Sequence, residues 1–320
     1  MEWIEQPLPP LEPVNDRNRA RVGADVLFDP PYGLDGSGVD VLVFDGGRVY
    51  PHDDLDSHRT WGDSAAFATH ATHVACTICG NGTVNPTYRG MAPAANLLSM
   101  AFEYDGTGVF LYTNPGDIEA DLYYAKVDWA PSADLLNASI GTNTASNGFP
   151  CLYEGNYGAT DLLLDAIVAG SLGEPFIAAW ANGNERGGPC GGAYRTTAPP
   201  ACAKNPIQSG ATAALDDSMS SFSSWGPSDD GRLKPVICSP GVQVASCNSA
   251  NGYVEMSGTS MASPTTAGII ALLLEQYRDA YFAGSTDVEF LPSSAKALLI
   301  HTAADLGNAG PDFRFGYGRI

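Results

Sequence analysis

Short apolar runs and longer stretches of helical period take turns along this chain. The apolar runs are Val39–Phe44, Asn96–Ala101, Leu135–Ala138, Pro175–Ala181, Ile207–Ala211 and Val236–Ser239. The helical stretches are His70–Cys79, Asp117–Trp129, Ala159–Ser171, Ser260–Tyr277 and Ser293–Thr302. A continuous apolar run bounded by turn residues marks a strand buried on both faces. Strands of that kind separated by helices predict an α/β fold, with a central, mostly parallel sheet and helices on both faces. In such sheets the ligand site lies beyond the carboxyl ends of the strands. Val39–Phe44 ends at Asp45-Gly46-Gly47, which puts an acid at one of those ends.

Composition narrows the partners. With 320 residues and 44% hydrophobic content, the chain has material for a full core. No apolar run reaches the roughly 18 residues of a membrane span, and Ile269–Leu274 reads as buried helix. Acidic residues number 36 against 16 basic ones, a formal charge of −20. That field repels a phosphate backbone, so nucleic acid is excluded as a partner. It suits solubility in salty or calcium-containing surroundings. The seven cysteines, Cys76, Cys79, Cys151, Cys190, Cys202, Cys238 and Cys247, are too sparse for a disulfide scaffold. They fit one or two bridges in a secreted or extracytoplasmic protein, with at least one thiol left over. Residues 1–20 hold Pro7, Pro9, Pro10 and Pro13 without an apolar period, and read as an extended N-terminal arm ahead of a domain over residues 21–320.

Three residues carry the chemistry. Ser260 lies in Ser257-Gly258-Thr259-Ser260-Met261-Ala262-Ser263-Pro264, ahead of an apolar helix. Its place at a helix N-terminus, with free N–H groups nearby, suits a nucleophile whose attack creates an oxyanion. Pro264 is expected in the first turn, where its missing N–H costs little. A serine N-cap is the plain structural reading of the same residue. His70 opens His70-Ala71-Thr72-His73-Val74-Ala75, and imidazole is the usual base for a serine hydroxyl. Asp45 is placed to hold that imidazole in the needed tautomer, although a lone strand-end acid is more often a turn residue.

Taken together, these segments resemble the subtilisin family of serine peptidases, in which the acid, base and nucleophile follow the order Asp, His, Ser. The resemblance runs from about Asn15 to the end of the chain. Val41–Gly47 is similar to the family's aspartate block, His70–Ala75 to its histidine block and Gly258–Pro264 to its serine block. It implies a subtilisin-like three-layer domain and a serine endopeptidase with catalytic Asp45, His70 and Ser260, acting as a monomer on protein or peptide substrates. Trp180–Glu185 resembles the oxyanion block, which gives Asn184 the role of side-chain donor. Asn137–Gly141 resembles the strand that binds substrate, which makes Ser139, Ile140 and Gly141 substrate-binding residues. Phe222–Pro227, Asp230–Pro235 and Gly316–Gly318 point to large bacterial members. From Trp3-Ile4-Glu5 and the C-terminal Gly316–Ile320, the chain is expected to be part of a longer exported precursor, with a pro-segment junction in residues 1–20 and truncation at the C-terminus. No cofactor is required by such chemistry. Family members commonly carry structural calcium, but Gly80–Tyr88 does not match the usual calcium loop.

The resemblance carries two further expectations. Thr197–Ala201 is similar to a family turn with a cis proline, which predicts a cis bond at Pro199–Pro200. Cys151 and Cys190 follow segments beside the pocket, so a Cys151–Cys190 bridge is expected, with Cys190–Cys202 as the rival. Cys76 and Cys79 are expected to be packing thiols.

Competing readings are weaker. His70, His73, Cys76 and Cys79 recur every third residue, but a helix turns about 100° per residue, so the first and last point to opposite sides. One ion cannot collect all four, and no metal ligands are assigned. A lipase-type elbow needs glycine where Ala262 stands, and the residue order Ser, acid, His. The alternative from another class is a catalytically impaired binding protein that keeps the fold. It rests on Ala71 and Cys76, which replace the glycines usual in the histidine helix.

Overall fold

A computed structural model of the chain describes residues 14–102, 115–286, 288 and 290–320. Its strands are β1 (Asp40–Asp45), β2 (Arg59–Trp61), β3 (Asn96–Ala101), β4 (Leu135–Ala138), β5 (Ile177–Ala181), β6 (Ile207–Thr212), β7 (Ile237–Pro240), β8 (Val244–Cys247) and β9 (Tyr253–Met256). Its α-helices are α1 (Val14–Val22), α2 (Ala24–Phe28), α3 (Thr69–Cys79), α4 (Pro115–Tyr123), α5 (Ala159–Val168), α6 (Thr259–Phe282) and α7 (Pro292–Thr302). Seven strands form one sheet in the order β2-β3-β1-β4-β5-β6-β7, and β8 pairs with β9 in a separate two-stranded ribbon. Every pairing in the large sheet is parallel.

Strand parity sorts the core into two layers. Val41, Val43, Leu97, Leu135 and Ile177 pack in one cluster with Ala71 and Val74 of α3 and Ala267, Ile270 and Leu274 of α6. Their neighbours Leu42, Phe44, Leu98, Leu136 and Ala178 pack in the other, with Ile118 and Leu122 of α4 and Leu164 and Ile167 of α5. Successive side chains of a strand point to opposite faces, so each strand feeds both layers. Both faces are therefore dry, which is why the strands read as unbroken apolar runs. The same parity turns Asp45, two residues beyond Val43, toward the α3 face.

Where the sequence reading and the structure differ, the causes are local. Residues 14–20 are not an extended arm: α1 crosses the expected boundary at residue 20, and Arg19 Nε pairs with Asp25 Oδ1 at 2.7 Å. A second tie joins Arg21 Nε to Asp217 Oδ1 at 2.6 Å. The prolines from Pro7 to Pro13 and the Trp3-Ile4-Glu5 segment lie outside the described residues. The stretch expected to be helical through Trp129 leaves the α-helix at Tyr123 and finishes as a π-turn over Tyr124–Asp128. β2, β8 and β9 are too short, and two of them too exposed, to show an apolar period. At the amino end of the sheet, Arg278 Nη2 donates to Asp134 Oδ1 at 2.6 Å, and Asp40 N donates to Asp134 Oδ2 at 2.9 Å. This clasp ties the far half of α6 to β1.

Two disulfides are formed. Cys151–Cys190 is the expected pair, with Cα atoms 5.2 Å apart. Cys76 is not a packing thiol: it bridges to Cys247, with Cα atoms 5.6 Å apart across a sequence separation of 171. A helix residue and a ribbon residue that far apart in sequence gave no spacing signal. Cys79, Cys202 and Cys238 are free and buried, so the rival Cys190–Cys202 pair is absent. The Pro199–Pro200 bond is cis, as expected.

Candidate active site

The site forms where β1, β4 and β5 end and α3 and α6 begin. Asp45 is the last residue of β1 and is almost fully buried. Its Oδ1 accepts from Gly46 N at 2.7 Å, which orients the carboxylate. An added Cβ at Gly47 would meet Ala66 O and the Ala68 side chain at 2.8 Å, so only glycine fits the turn that follows. The carboxylate faces His70 in the first turn of α3, with Nδ1 at 2.8 Å from Oδ1 and 3.0 Å from Oδ2. Burial alone would lower the His70 pKa, but the Asp45 charge and hydrogen bond outweigh it and hold the imidazole above its ordinary 6.5. His73, one turn on, is buried, pairs through Nε2 with Val244 O at 2.8 Å, and is driven down to about 4 by burial. It serves as a neutral strut between α3 and β8.

Ser260 is the second residue of α6. The helix starts at Thr259, so Pro264 falls in the second turn, not the first as expected. A proline there has no N–H to offer the carbonyl four residues back, which belongs to Ser260. That carbonyl instead accepts from Ser139 Oγ at 2.8 Å. In return, Ser260 Oγ donates to Ser139 O at 3.0 Å. One turn along α6, Ser263 Oγ donates to Asn137 Oδ1 at 2.8 Å. Positions three apart on a helix share a face, as do positions two apart on a strand. Ser260 and Ser263 thus meet Ser139 and Asn137 as a matched pair, which sets α6 against the end of β4.

Asn184 follows β5, and its amide is oriented by two bonds to Oδ1, from Thr259 N at 2.9 Å and Thr259 Oγ1 at 3.0 Å. Its Nδ2, beside Gly258, has no acceptor among the described residues. Asn182 has the opposite character: it is fully buried, and its Nδ2 donates to Ser224 O at 2.7 Å and Thr197 Oγ1 at 3.2 Å. His70, Ser139, Ile140, Gly141, Asn184 and Ser260 all line one cleft of about 230 Å³. Asp45 does not line the cleft but joins it through His70, so the residues singled out for the site come together at one place. Sequence reasoning missed Thr259, Phe102 and Thr142, which also line it. Thr259 was in view as the residue before Ser260, but its bond to Asn184 joins segments 75 residues apart.

Among the described residues, His52, Asp54 and Cys247 form the one group of three or more His, Cys or acidic side chains whose ligand atoms lie close together. Its donors are already committed. Cys247 is in a disulfide, and His52 Nδ1 accepts from Asp54 N at 3.1 Å. The Asp54 carboxylate takes Val84 N at 2.7 Å and Tyr253 Oη at 2.6 Å. The residues present do not fit an ion there. No helix among the described residues is long and apolar enough to cross a membrane.

A parallel α/β domain with an Asp–His pair and a serine at a helix start, in this chain order, defines a class of hydrolase folds, and comparison with known proteins specifies which. The model of the subtilase family matches residues 36–318, and this chain belongs to that family. It is 32% identical over 277 residues to serine protease AprX of Bacillus subtilis (strain 168), covering 77% of this chain and 59% of that protein. It is 31% identical over 298 residues to the thermophilic serine proteinase of Bacillus sp. (strain AK1), covering 89% of this chain and 60% of that one. The aligned region thus spans about three-fifths of those relatives. Among solved structures, the CspB protease of Clostridium perfringens superposes with a TM-score of 0.75 at 16% identity, covering 95% of this chain and 97% of that one. A cold-adapted subtilisin-like serine proteinase gives 0.60 at 26% identity, covering 91% and 90%.

Proposed function

We propose that this chain is a serine endopeptidase that hydrolyses polypeptides through an acyl-enzyme. The observation that carries this reading is the Asp45 carboxylate bonded to His70 Nδ1 at 2.8 Å, at a cleft shared with Ser260. With Nδ1 engaged, Nε2 is the nitrogen left to accept a proton. Ser260 Oγ turns from Ser139 O toward His70, loses its proton to Nε2 and attacks the substrate carbonyl, while Asp45 stabilises the imidazolium. The oxyanion is received by Asn184 Nδ2 and the Ser260 N–H. His70 then protonates the leaving amine, and water, deprotonated by the same imidazole, releases the acyl group. Ser139, Ile140 and Gly141 form the edge along which the substrate lies. No step needs a cofactor. Two disulfides support an extracytoplasmic setting, where such bridges persist.

The test is labelling by a fluorophosphonate, with mass mapping of the adduct. The expected result is one adduct on Ser260 that is lost in Ser260→Ala. A folded wild-type protein that neither labels nor cleaves a denatured polypeptide would leave the binding-protein reading in its place.

A further inference from the structure

His52, Asp54 and Cys247, whose ligand atoms all lie within 4.8 Å of one another, do not fit an ion while the Cys76–Cys247 bridge is closed. Opening the bridge changes that. Cys247 then offers a thiolate, and the Cys76 sulfur, released at the same place, becomes a fourth donor. All four residues are at most 1% exposed. They come from three separate segments: the loop between β1 and β2, α3, and β8. Cys79, one turn beyond Cys76, is not part of the group, and its Sγ donates back to Ala75 O at 3.3 Å.

The distances suit a small ion. Cys247 Sγ lies 3.8 Å from Asp54 Oδ2, and His52 Nδ1 lies 3.9 Å from the same oxygen. Ligand atoms around tetrahedral zinc, bonded at about 2.0–2.3 Å, are roughly 3.3–3.8 Å apart. The imidazole already has the required tautomer. Its Nε2 faces Gly252 O at 3.2 Å, and a carbonyl only accepts, so the proton is on Nε2 and the lone pair on Nδ1. A ligating histidine is commonly held by such a bond from its other nitrogen. In the bridged protein that lone pair takes Asp54 N at 3.1 Å. Tyr253 Oη and Val84 N orient the carboxylate, at 2.6 and 2.7 Å.

The donor chemistry selects the ion. Two thiolates, an imidazole and a carboxylate are a zinc set, whereas calcium and magnesium take oxygen ligands. Four protein ligands leave no open position, which marks a structural site and not a catalytic one. A way in exists. β8 pairs with β9 alone, and the turn between them is exposed at Ala250 and Asn251. That turn rests on the His52 loop through Asn251 Oδ1, which accepts from Asp53 N at 2.9 Å, and through Gly252 O. A lone two-stranded ribbon opens locally at low cost, which admits a reductant and then an ion.

We propose that reduction of Cys76–Cys247 creates a structural zinc site made of His52, Asp54, Cys76 and Cys247. A dithiol supplies the two electrons: its S–H bonds break, its own S–S bond forms, and the two half-cystines become thiols. Zinc then displaces both thiol protons to solvent. The ion takes over the tie between α3 and β8 that the bridge makes in the oxidised protein.

The experiment is cobalt(II) titration of the protein after reduction with excess dithiol and desalting without oxygen. The thiolate-to-cobalt charge-transfer band reports sulfur ligands, and zinc is added last to displace the cobalt. A single equivalent with a two-thiolate band is expected after reduction, and no band before it. Cys247→Ser is expected to weaken binding by more than roughly 100-fold, beyond the effect of losing an outer-shell partner. Both reduced proteins lack the bridge, so the comparison isolates the ligand. Cys151→Ser, which opens the other bridge, is expected to leave binding unchanged. A second measurement is independent of the variants: zinc should raise the unfolding midpoint of the reduced wild type relative to chelator, and leave that of the oxidised protein where it is. A reduced wild type that takes up no cobalt, folded or not, overturns the proposal. So does a midpoint that zinc does not raise, a band present before reduction, a band that Cys247→Ser leaves intact, or one that Cys151→Ser abolishes.

Discussion

Ser139 and Ser260 exchange hydrogen bonds: each hydroxyl donates to the other's carbonyl, at 2.8 and 3.0 Å. The exchange exists because Pro264 removes the helical partner of the Ser260 carbonyl. A residue just beyond the end of β4 thereby fixes the start of the helix that presents the serine. In Ser139→Ala the Ser260 carbonyl loses its donor. Urea unfolding is expected to show a loss of about 1–2 kcal/mol. No loss would mean that water or Asn137 takes over the carbonyl.

Asn184→Ala is expected to lower kcat by roughly 10²–10³, the usual size of effect for a lost oxyanion donor, with little change in KM, and to cost about 1–2 kcal/mol of stability because Thr259 N and Oγ1 lose their acceptor. Asn182→Ala should leave kcat nearly unchanged. It removes a buried amide that holds Ser224 O and Thr197 Oγ1, so its signature is a lower unfolding midpoint. Kinetics and denaturation of the pair together check the assignment, and exchanged signatures would reverse it.

The pH profile follows from the His70–Asp45 pair. His70 must be neutral to take the serine proton, and Asp45 raises its pKa above 6.5. Activity is therefore absent at low pH and appears as pH rises through that raised value. The acid limb of kcat/KM should have a midpoint above 6.5. Asp45→Asn removes the charge, so the midpoint should move down, with a rate loss on the order of 10⁴. A midpoint that stays put in Asp45→Asn would show that another group titrates.

The cysteines give a chemical check. Cys79 and Cys202 are each pushed up to about 12 by burial, and Cys238 is raised as well. In the folded protein all three should resist alkylation at neutral pH, since the thiolate is the reactive form. On unfolding without reductant, these three alone should label. Label on Cys151, Cys190, Cys76 or Cys247 under those conditions would contradict the pairing.

Much of this architecture was legible beforehand because burial on both sheet faces leaves a plain mark: β3 and β4 match their apolar runs residue for residue. Asp45, His70, Ser260 and Asn184 were legible because each sits in a short local pattern. Relationships across the chain were not. The Cys76–Cys247 bridge, the grip of Thr259 on Asn184 and the use of the Ser260 carbonyl by Ser139 join segments with no shared spacing. The helix over residues 14–22 was hidden by its polar composition and the prolines before it. What holds it is ion pairing with distant residues such as Asp217, and charge pairing has no period to read.

On the peptidase reading proposed above, the Cys76–Cys247 bridge has a consequence for a chain that is itself a polypeptide. Asp45 and His70 precede Cys76, while Ser260 follows Cys247. A single nick anywhere between the two half-cystines would divide the acid and base from the nucleophile in sequence, yet the bridge would still hold the two fragments as one molecule. Self-inflicted cuts in that region would then be silent on a non-reducing gel and would appear as two bands only after reduction. The bond works as a staple across the seam between the two halves of the machinery, and lets the molecule tolerate its own chemistry.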